Sequence, residues 1–419
     1  MSAAEDRAQA PREDRAPRSE RAIVYLIAAV QFVNVLDFMM VNPLGPEFMR
    51  DLEVPGSELP TVVGSYTAAA SITGVLGSLY LERFDRRSGL VAMLLGLAVG
   101  TALGGLAFDL KTLILARVVA GLFGGPATSL ALAIVSDAVD ARRRGWAMGI
   151  VMGGFAVASV LGVPAGLNLA RLGGWRTPFF STAVVIAIVA AVAFRLLPPL
   201  RAHLRAPSAQ APLRDLLAIL KKRSVLLSLS LTTVTMMSSF IVIPNIPVFV
   251  EFNLGLPHKR LDVLYLLGGI ASFATTRLTG PLVDRFGAAR VAAAGTLLAV
   301  AIVWLWFVQS SAAVPILVVS TAFFVAMGMR GVAYNTLTSK VPESFERARF
   351  QSAQSAVQHG ASAAAAFLSA RLLSTRPDGS LDHVQRVGTA SIVLCLLMPV
   401  FMLIVEHQLR TRAAAEPTQ

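Results

Sequence analysis

Cysteine, charge and histidine are all scarce in this chain, and each shortage rules something out. Cys395 is the one cysteine, so neither an internal disulfide nor a cysteine-built metal site is expected. Asp, Glu, Lys and Arg make up 15% of 419 residues, too few to cover a water-soluble fold of that size. Five histidines are present, and none joins acids at metal-ligand spacing inside an apolar run. The GxxxxGK loop that grips ATP phosphates is missing, so direct ATP drive is not expected. A convergent nucleophile and base are also missing, which argues against an enzyme. The expected cofactor and metal lists are therefore empty. Residues 1–21 mix arginine with acids, alanine and proline; they lack the apolar stretch of a cleaved leader and read as a disordered tail.

What is abundant is apolar sequence. The chain is 55% hydrophobic, with a mean hydropathy of +0.65. Runs of about 20 apolar residues recur, the length needed to cross a bilayer as a helix. They lack the period-two alternation of a barrel strand, so an all-α polytopic membrane protein is expected. Twelve transmembrane helices are predicted, starting near Ala22, Leu59, Ser88, Thr112, Gly145, Thr177, Ser224, Asp262, Val291, Ala313, Gln351 and Val387. The net charge of +12 fits the same picture. With both termini cytoplasmic, most Lys and Arg fall on the cytoplasmic side, led by Arg142-Arg143-Arg144 and Lys221-Lys222-Arg223. A lipid bilayer, not nucleic acid, is the expected partner, and a bacterial-type inner membrane the expected location.

Two motifs repeat half a chain apart. Glu82-Arg83-Phe84-Asp85-Arg86-Arg87 matches Asp284-Arg285-Phe286-Gly287-Ala288-Ala289-Arg290, 202 residues from Glu82 to Asp284. Pro43-Leu44-Gly45-Pro46 matches Pro244-Asn245-Ile246-Pro247, 201 residues from Pro43 to Pro244. Two motifs at one offset predict a duplicated bundle, six helices in each pseudo-symmetric half. The proline-rich stretch after Pro198 is the natural linker. The expected division is a cytoplasmic tail at 1–21, bundles at 22–198 and 223–407, a linker at 199–222 and a second tail at 408–419. Leu213 to Leu220 inside the linker reads as a short interfacial helix.

Charges inside apolar helices mark function or a partner, because each costs about 2.5–3.5 kcal/mol to insert. Asp37 lies in the first helix and Arg117 in the fourth. They stand about seven and five residues from their outer ends, roughly 8–10 Å deep, so they can meet. The residue matching Asp37 in the second half is Ser238, and nothing cationic occupies the place corresponding to Arg117. An acid and base in one half only suggest proton coupling; a permanent structural bridge is the alternative. Gln31 and Asn34 share a helical face beside Asp37. Asn245 sits between two prolines. His359 follows Gln354 and Gln358, either as a packed polar seam or as substrate contacts or a second proton site. Arg277 and Arg330 are further embedded charges. Glu82, Arg83, Asp85, Arg86 and Asp137 can form an ion-pair gate, with Asp284, Arg285 and Arg290 as its repeat. Gly154, Ala158, Gly162 and Gly166 recur every four residues, allowing close helix approach, and Pro164 bends that helix.

These motifs resemble the major facilitator superfamily over nearly the whole membrane region. The GxLxDRxG loop is complete at Gly280, Leu282, Asp284, Arg285 and Gly287. The first copy departs at Ser78, Glu82 and Asp85. Arg117 and Gly121 resemble the family's RxxxG motif. Gly162-Val163-Pro164-Ala165-Gly166 resembles the helix-five motif of proton-coupled antiporters, and Gly174-Trp175-Arg176 fits the same branch. The resemblance implies a monomeric alternating-access transporter with helices one and four lining the cavity. Proton-driven export of small amphipathic or hydrophobic compounds is the first expectation. Uptake or exchange of a sugar or other metabolite is the alternative, and a non-transporting sensor or enzyme a remote one.

Overall fold

The computed structural model describes residues 18–80, 84–140, 143–200, 218–310, 314–343 and 347–415. Twelve long helices dominate it. The first half holds α1 (Arg18–Met40), α2 (Leu59–Tyr80), α3 (Arg86–Gly105), α4 (Leu110–Ala138), α5 (Arg144–Gly173) and α6 (Arg176–Leu196). The second holds α7 (Arg223–Phe240), α8 (Leu261–Phe286), α9 (Ala288–Val303), α10 (Ile316–Thr338), α11 (Arg347–Leu372) and α12 (Val384–Ala415). Eleven of these segments are long and apolar enough to span a bilayer. The exception is α11, rich in Ala, Ser and Gln; it packs between α2 and α7 and so meets little lipid. Apolar side chains such as Leu95, Val99, Val184 and Ile188 stand exposed on the outer flanks, as a surface bathed in lipid requires. α12 runs on to Ala415, past His407. The segments 1–17 and 201–217, Glu82, Arg83 and Arg142 lie outside the described residues, and with them most of the Leu213 to Leu220 stretch.

Each proline pair breaks its helix in the same way. α1 stops at Met40, a 3-10 turn follows at Asn42–Leu44, and a short helix runs from Gly45–Asp51. α7 stops at Phe240, with a 3-10 turn at Ile243–Asn245 and helical turns on to Asn253. Proline lacks the N–H that would continue the helix, so the chain tightens there. In α5, Pro164 has no N–H for the carbonyl one turn back, and the helix widens into a π-turn at Ala158–Gly162.

The halves meet along two seams. In one, Ser71 on α2 donates to the Ala356 carbonyl of α11 at 2.8 Å. In the other, Gly269 on α8 lies so close to α5 that a Cβ there would stand 2.7 Å from the Ser159 carbonyl oxygen. That contact uses the π-turn itself. Gly154, Gly162 and Gly166 face α1 instead, against Ala28, Leu36 and Met40. The helix-five glycines thus tighten the first half internally, and Ser159 and Val160 carry the seam.

The face bearing the termini differs from the far face. One apolar core at the far face is shared by both halves and includes Leu44, Phe48, Trp175, Val248, Phe249 and Trp306. Two further cores toward the terminal face are confined to one half each, around Ile27, Leu94 and Ile134 and around Leu231, Ala292 and Met402. Ion pairs follow the same division among the described residues. At the far face Glu47–His258, Arg50–Glu251 and Arg171–Asp262 cross between halves. At the terminal face Glu20–Arg143, Arg86–Asp137, Lys222–Glu343 and Glu406–Arg410 each stay within one half. Asn42 adds a 3.0 Å bond to the Ile243 carbonyl, and Ser57 meets Thr375 of a small hairpin (Ser374–Thr375 with Leu381–Asp382). The far side is shut.

Candidate proton-coupling site

Asp37 and Arg117 meet in the middle of the first half. The guanidinium grips the carboxylate with both ends: Nη1 donates to Oδ1 at 3.1 Å and Nη2 to Oδ2 at 3.0 Å. Neither side chain reaches solvent, at 0% and 1% exposure, so the pair is screened by protein alone. The Thr101 hydroxyl lies 2.7 Å from Oδ1 and 2.8 Å from the Leu97 carbonyl; with one hydrogen it serves one acceptor at a time. Tyr66 places its ring under the guanidinium, 4.6 Å from the ring centre. Its hydroxyl donates to Asn34 Oδ1 at 3.2 Å, and Asn34 Nδ2 donates to the Gly124 carbonyl at 2.9 Å.

Glycines on α4 make this geometry possible. A Cβ on Gly121 would lie 2.3 Å from the Tyr66 carbonyl oxygen, and one on Gly124 2.2 Å from its hydroxyl. A Cβ on Gly100 of α3 would lie 2.5 Å from the Ala120 nitrogen. Bare backbone lets α2 and α3 close on α4, which carries Tyr66 and Thr101 to the ion pair. Thr101 and Tyr66 were missed from sequence. A lone threonine and tyrosine in apolar helices were the available signal.

The other predicted residues are dispersed. Gln31 lies on α1 with its Oε1 buried and unpartnered. Asn245 is buried and donates to the Ile241 carbonyl and to Ser369 on α11. Gln354 and Gln358 donate to the Tyr334 hydroxyl at 2.6 and 3.3 Å, and Tyr334 meets Thr232 at 2.8 Å, so their amides clasp α11 to α10 and α7. Gln354 also lines a recess of about 490 Å³ near the terminal face, with Thr338, Lys340, Arg347 and Phe350. His359 bonds within its own helix, 2.9 Å from the Ser355 carbonyl, and does not touch Asp37. Asp85 accepts from the amides of Arg87 and Leu200, tying the start of α3 to the end of α6. Arg86 pairs with Asp137. Asp284, Arg285 and Arg290 are exposed and make no ion pair among the described residues in this conformation. Gly287 turns with φ +87, which accounts for a glycine there. Pro164 sits in the first turn after the π-bend.

One expectation is corrected. The second half does carry a cation opposite the Asp37 equivalent: Arg330, 2% exposed, donates to Ser238 Oγ at 2.7 Å and contacts the sulfurs of Met327 and Met398. It lies further along its helix than Arg117 does, which hid the match. The acid is what only the first half has. Arg277, by contrast, is exposed, over the Phe273 ring.

A buried acid–base pair in one of two duplicated six-helix halves, with one side shut and a core that separates toward the other, defines a secondary transporter rather than an enzyme. The chain belongs to the Major Facilitator Superfamily, whose family model matches residues 27–369. It is 31% identical over 278 residues to the chloramphenicol resistance protein of Streptomyces lividans, covering 66% of this chain and 70% of that one. It is 34% identical over 186 residues to the puromycin resistance protein pur8 of Streptomyces alboniger, 43% of this chain and 36% of that one. In fold it resembles a bacterial homologue of the human lysosomal transporter Spinster in an inward-facing, unoccupied conformation. That match has a TM-score of 0.71 at 14% identity, covering 95% and 99% of the two chains.

Proposed function

We propose that this transporter exports small amphipathic or hydrophobic compounds across a bacterial-type inner membrane in exchange for protons. The terminal face is then cytoplasmic, as the positive-inside bias favours, and the structure is its inward-open form. Asp37 is the proton carrier and Arg117 its counter-charge. The observation that carries this is the two-ended grip on a fully buried carboxylate. That is the bonding of an ionised acid, as expected after the proton has left toward the cytoplasm. One proton crossing 100 mV supplies about 2.3 kcal/mol. The resistance proteins to which the chain is similar support export over uptake. The bundles at 22–198 and 223–407 act as the rocking units of a monomer, with Ser159–Gly269 and Ser71–Ala356 as rolling contacts. Gln354 and the terminal-face recess give the substrate its first polar surface, and Asp85, Arg86 and Asp137 brace the cytoplasmic loop.

Inside-out vesicles with an imposed pH gradient test this. A panel of amphipathic compounds should collapse the gradient in the wild type and fail to do so with Asp37→Asn. Substrate-triggered proton movement that survives Asp37→Asn would remove Asp37 from the coupling role.

A further inference from the structure

Three flanks of α11 are taken, and one is left. Ala356 and Gly360 face Ser71 on α2. Gln354 and Gln358 face Tyr334 on α10, and Ser369 faces Asn245 just beyond α7. Ala364 and Leu368 stand exposed, on the lipid side. His359 and Leu368 are nine residues apart, about two and a half turns at 3.6 residues per turn, so they point in opposite directions. His359 therefore faces the space between the halves. Gln354 lines the terminal-face recess. From it, Gln354, Gln358 and His359 lead inward over roughly 8 Å of helix.

The hydrogens along this wall are fixed by what each partner can do. The Thr232 hydroxyl donates to the Ser228 carbonyl at 2.9 Å. Tyr334 then gives its one hydrogen to Thr232 Oγ1 at 2.8 Å and offers its lone pairs to Gln354 Nε2 and Gln358 Nε2. Thr338 donates to the Tyr334 carbonyl at 3.1 Å and accepts from Gln354 Nε2 at 3.2 Å. Turning the Gln354 amide round would need the hydrogens that Thr232 and Thr338 now give to those two carbonyls. The amide nitrogens are thus committed to the protein, and Gln354 Oε1 and Gln358 Oε1 point away unbonded. His359 obeys the same rule. Its Nδ1 lies 2.9 Å from the Ser355 carbonyl, which only accepts, so Nδ1 carries the hydrogen. His359 makes no ion pair among the described residues, and an unpaired cation within a membrane span is costly, so the ring is neutral and Nε2 holds a lone pair. None of these three acceptor atoms has a partner among the described residues, and none is sealed from solvent.

We propose that Gln354 Oε1, Gln358 Oε1 and His359 Nε2 form a ladder of acceptors that selects compounds carrying hydroxyl or N–H donors. It rests on the reading above that the terminal-face recess admits the substrate, and it narrows that substrate from amphipathic compounds in general to hydrogen-bond donors. A compound with nothing to donate strips water from these atoms and returns no hydrogen, which is penalised. The wall cannot adapt by turning its amides, because the same amides clasp α11 to α10 and α7. A site of fixed polarity rejects the methylated analogue of a donor far better than an apolar pocket rejects a change of one methyl group.

The probes are N-benzyl-4-hydroxybenzamide, with one O–H and one N–H, and its N,O-dimethyl form, which has neither. The full chain in nanodiscs is treated with diethyl pyrocarbonate, which attacks the open nitrogen of a neutral imidazole, and His359 is followed by peptide mass. His359 should be modified, and the donor probe should protect it at a concentration about tenfold below that needed by the dimethyl form. Equilibrium dialysis against empty nanodiscs should give the same ratio of Kd values. His359→Phe should shrink that ratio at least about threefold, and His359→Gln, which restores an acceptor, by less. No modification of His359, equal protection by the two probes, protection by neither, or a ratio unchanged in His359→Phe would each overturn the proposal. Matching size-exclusion profiles separate a lost preference from a misfolded variant. Both readouts are of binding, so a failure of proton-coupled export in vesicles is a separate outcome that leaves this one standing.

Discussion

Replacing Asp37 by Asn keeps the shape of the buried pair and removes its negative charge. Arg117, at 1% exposure, is then a cation without an anion. Breaking a buried pair from one side costs about 3–5 kcal/mol. Some of that is recovered, because the amide oxygen still accepts one guanidinium hydrogen bond, worth roughly 1 kcal/mol. The Tyr66 ring, 4.6 Å away, also remains. The expected net loss is about 2–4 kcal/mol. Adding Arg117→Gln removes the stranded charge and should return at least half of it. The assay is reversible unfolding in mixed micelles, read by circular dichroism, for both single variants and the double. A single variant as stable as the wild type would show that Asp37 carries no charge in this conformation. A double variant equal to the sum of the singles would show that the two residues do not act as a pair. The same arithmetic bears on transport. Under the proposed coupling role, proton uptake by Asp37 would strand Arg117 just as Asn does.

Four further outcomes are expected. Gly121→Ala must push α2 off α4 by about 1 Å and cost about 1–3 kcal/mol in the same unfolding assay. Gly145→Ala, where nothing lies within 4 Å, should be neutral or slightly stabilising. Ser238→Asp places a carboxylate against Arg330, supplying the missing counter-charge, and should raise the unfolding midpoint; Arg330→Gln combined with it should cancel the gain. Hydrogen bonds from the Thr112 hydroxyl and amide hold the Asp109 carboxyl below the usual aspartate range. Stability from this cap is present above that range and lost as pH falls through the lowered value. Amide protection over Leu110–Leu113 should thus drop in acid, and Asp109→Ala should show the drop already at neutral pH.

The fold was legible because lipid is an undemanding solvent to read. Continuous apolar runs, proline breaks and a 201-residue echo are local signals. α11 is the instructive case, since its composition is too polar for a lone membrane span and it crosses by hiding between α2 and α7. The Asp37–Arg117 contact was legible from matched depth on α1 and α4. Thr101 and Tyr66 were not, because their positions depend on Gly100 and Gly121 bringing helices to backbone distance. Arg330 was misjudged for a related reason. Arg330 sits fourteen residues into α10 whereas Arg117 sits seven into α4, about two turns apart, so a residue count does not pair them. The far-face pair of Arg50 and Glu251 joins residues 201 apart through tertiary packing alone.

The contacts at the shut far side have an arithmetic of their own. Arg50 meets Glu251 and Asn42 meets Ile243, each pair separated by 201, the offset of the duplication. Residues that meet their own repeat-mates lie on the pseudo-twofold axis. In a symmetric pair of identical half-length chains, such a position would face a copy of itself, arginine against arginine or glutamate against glutamate. Two separate copies could never place opposite charges there. Once both copies share one polypeptide, the two sides of the axis can diverge, and repulsion at its centre becomes an ion pair. The Arg50–Glu251 pair on this axis is thus one that two identical halves could not form.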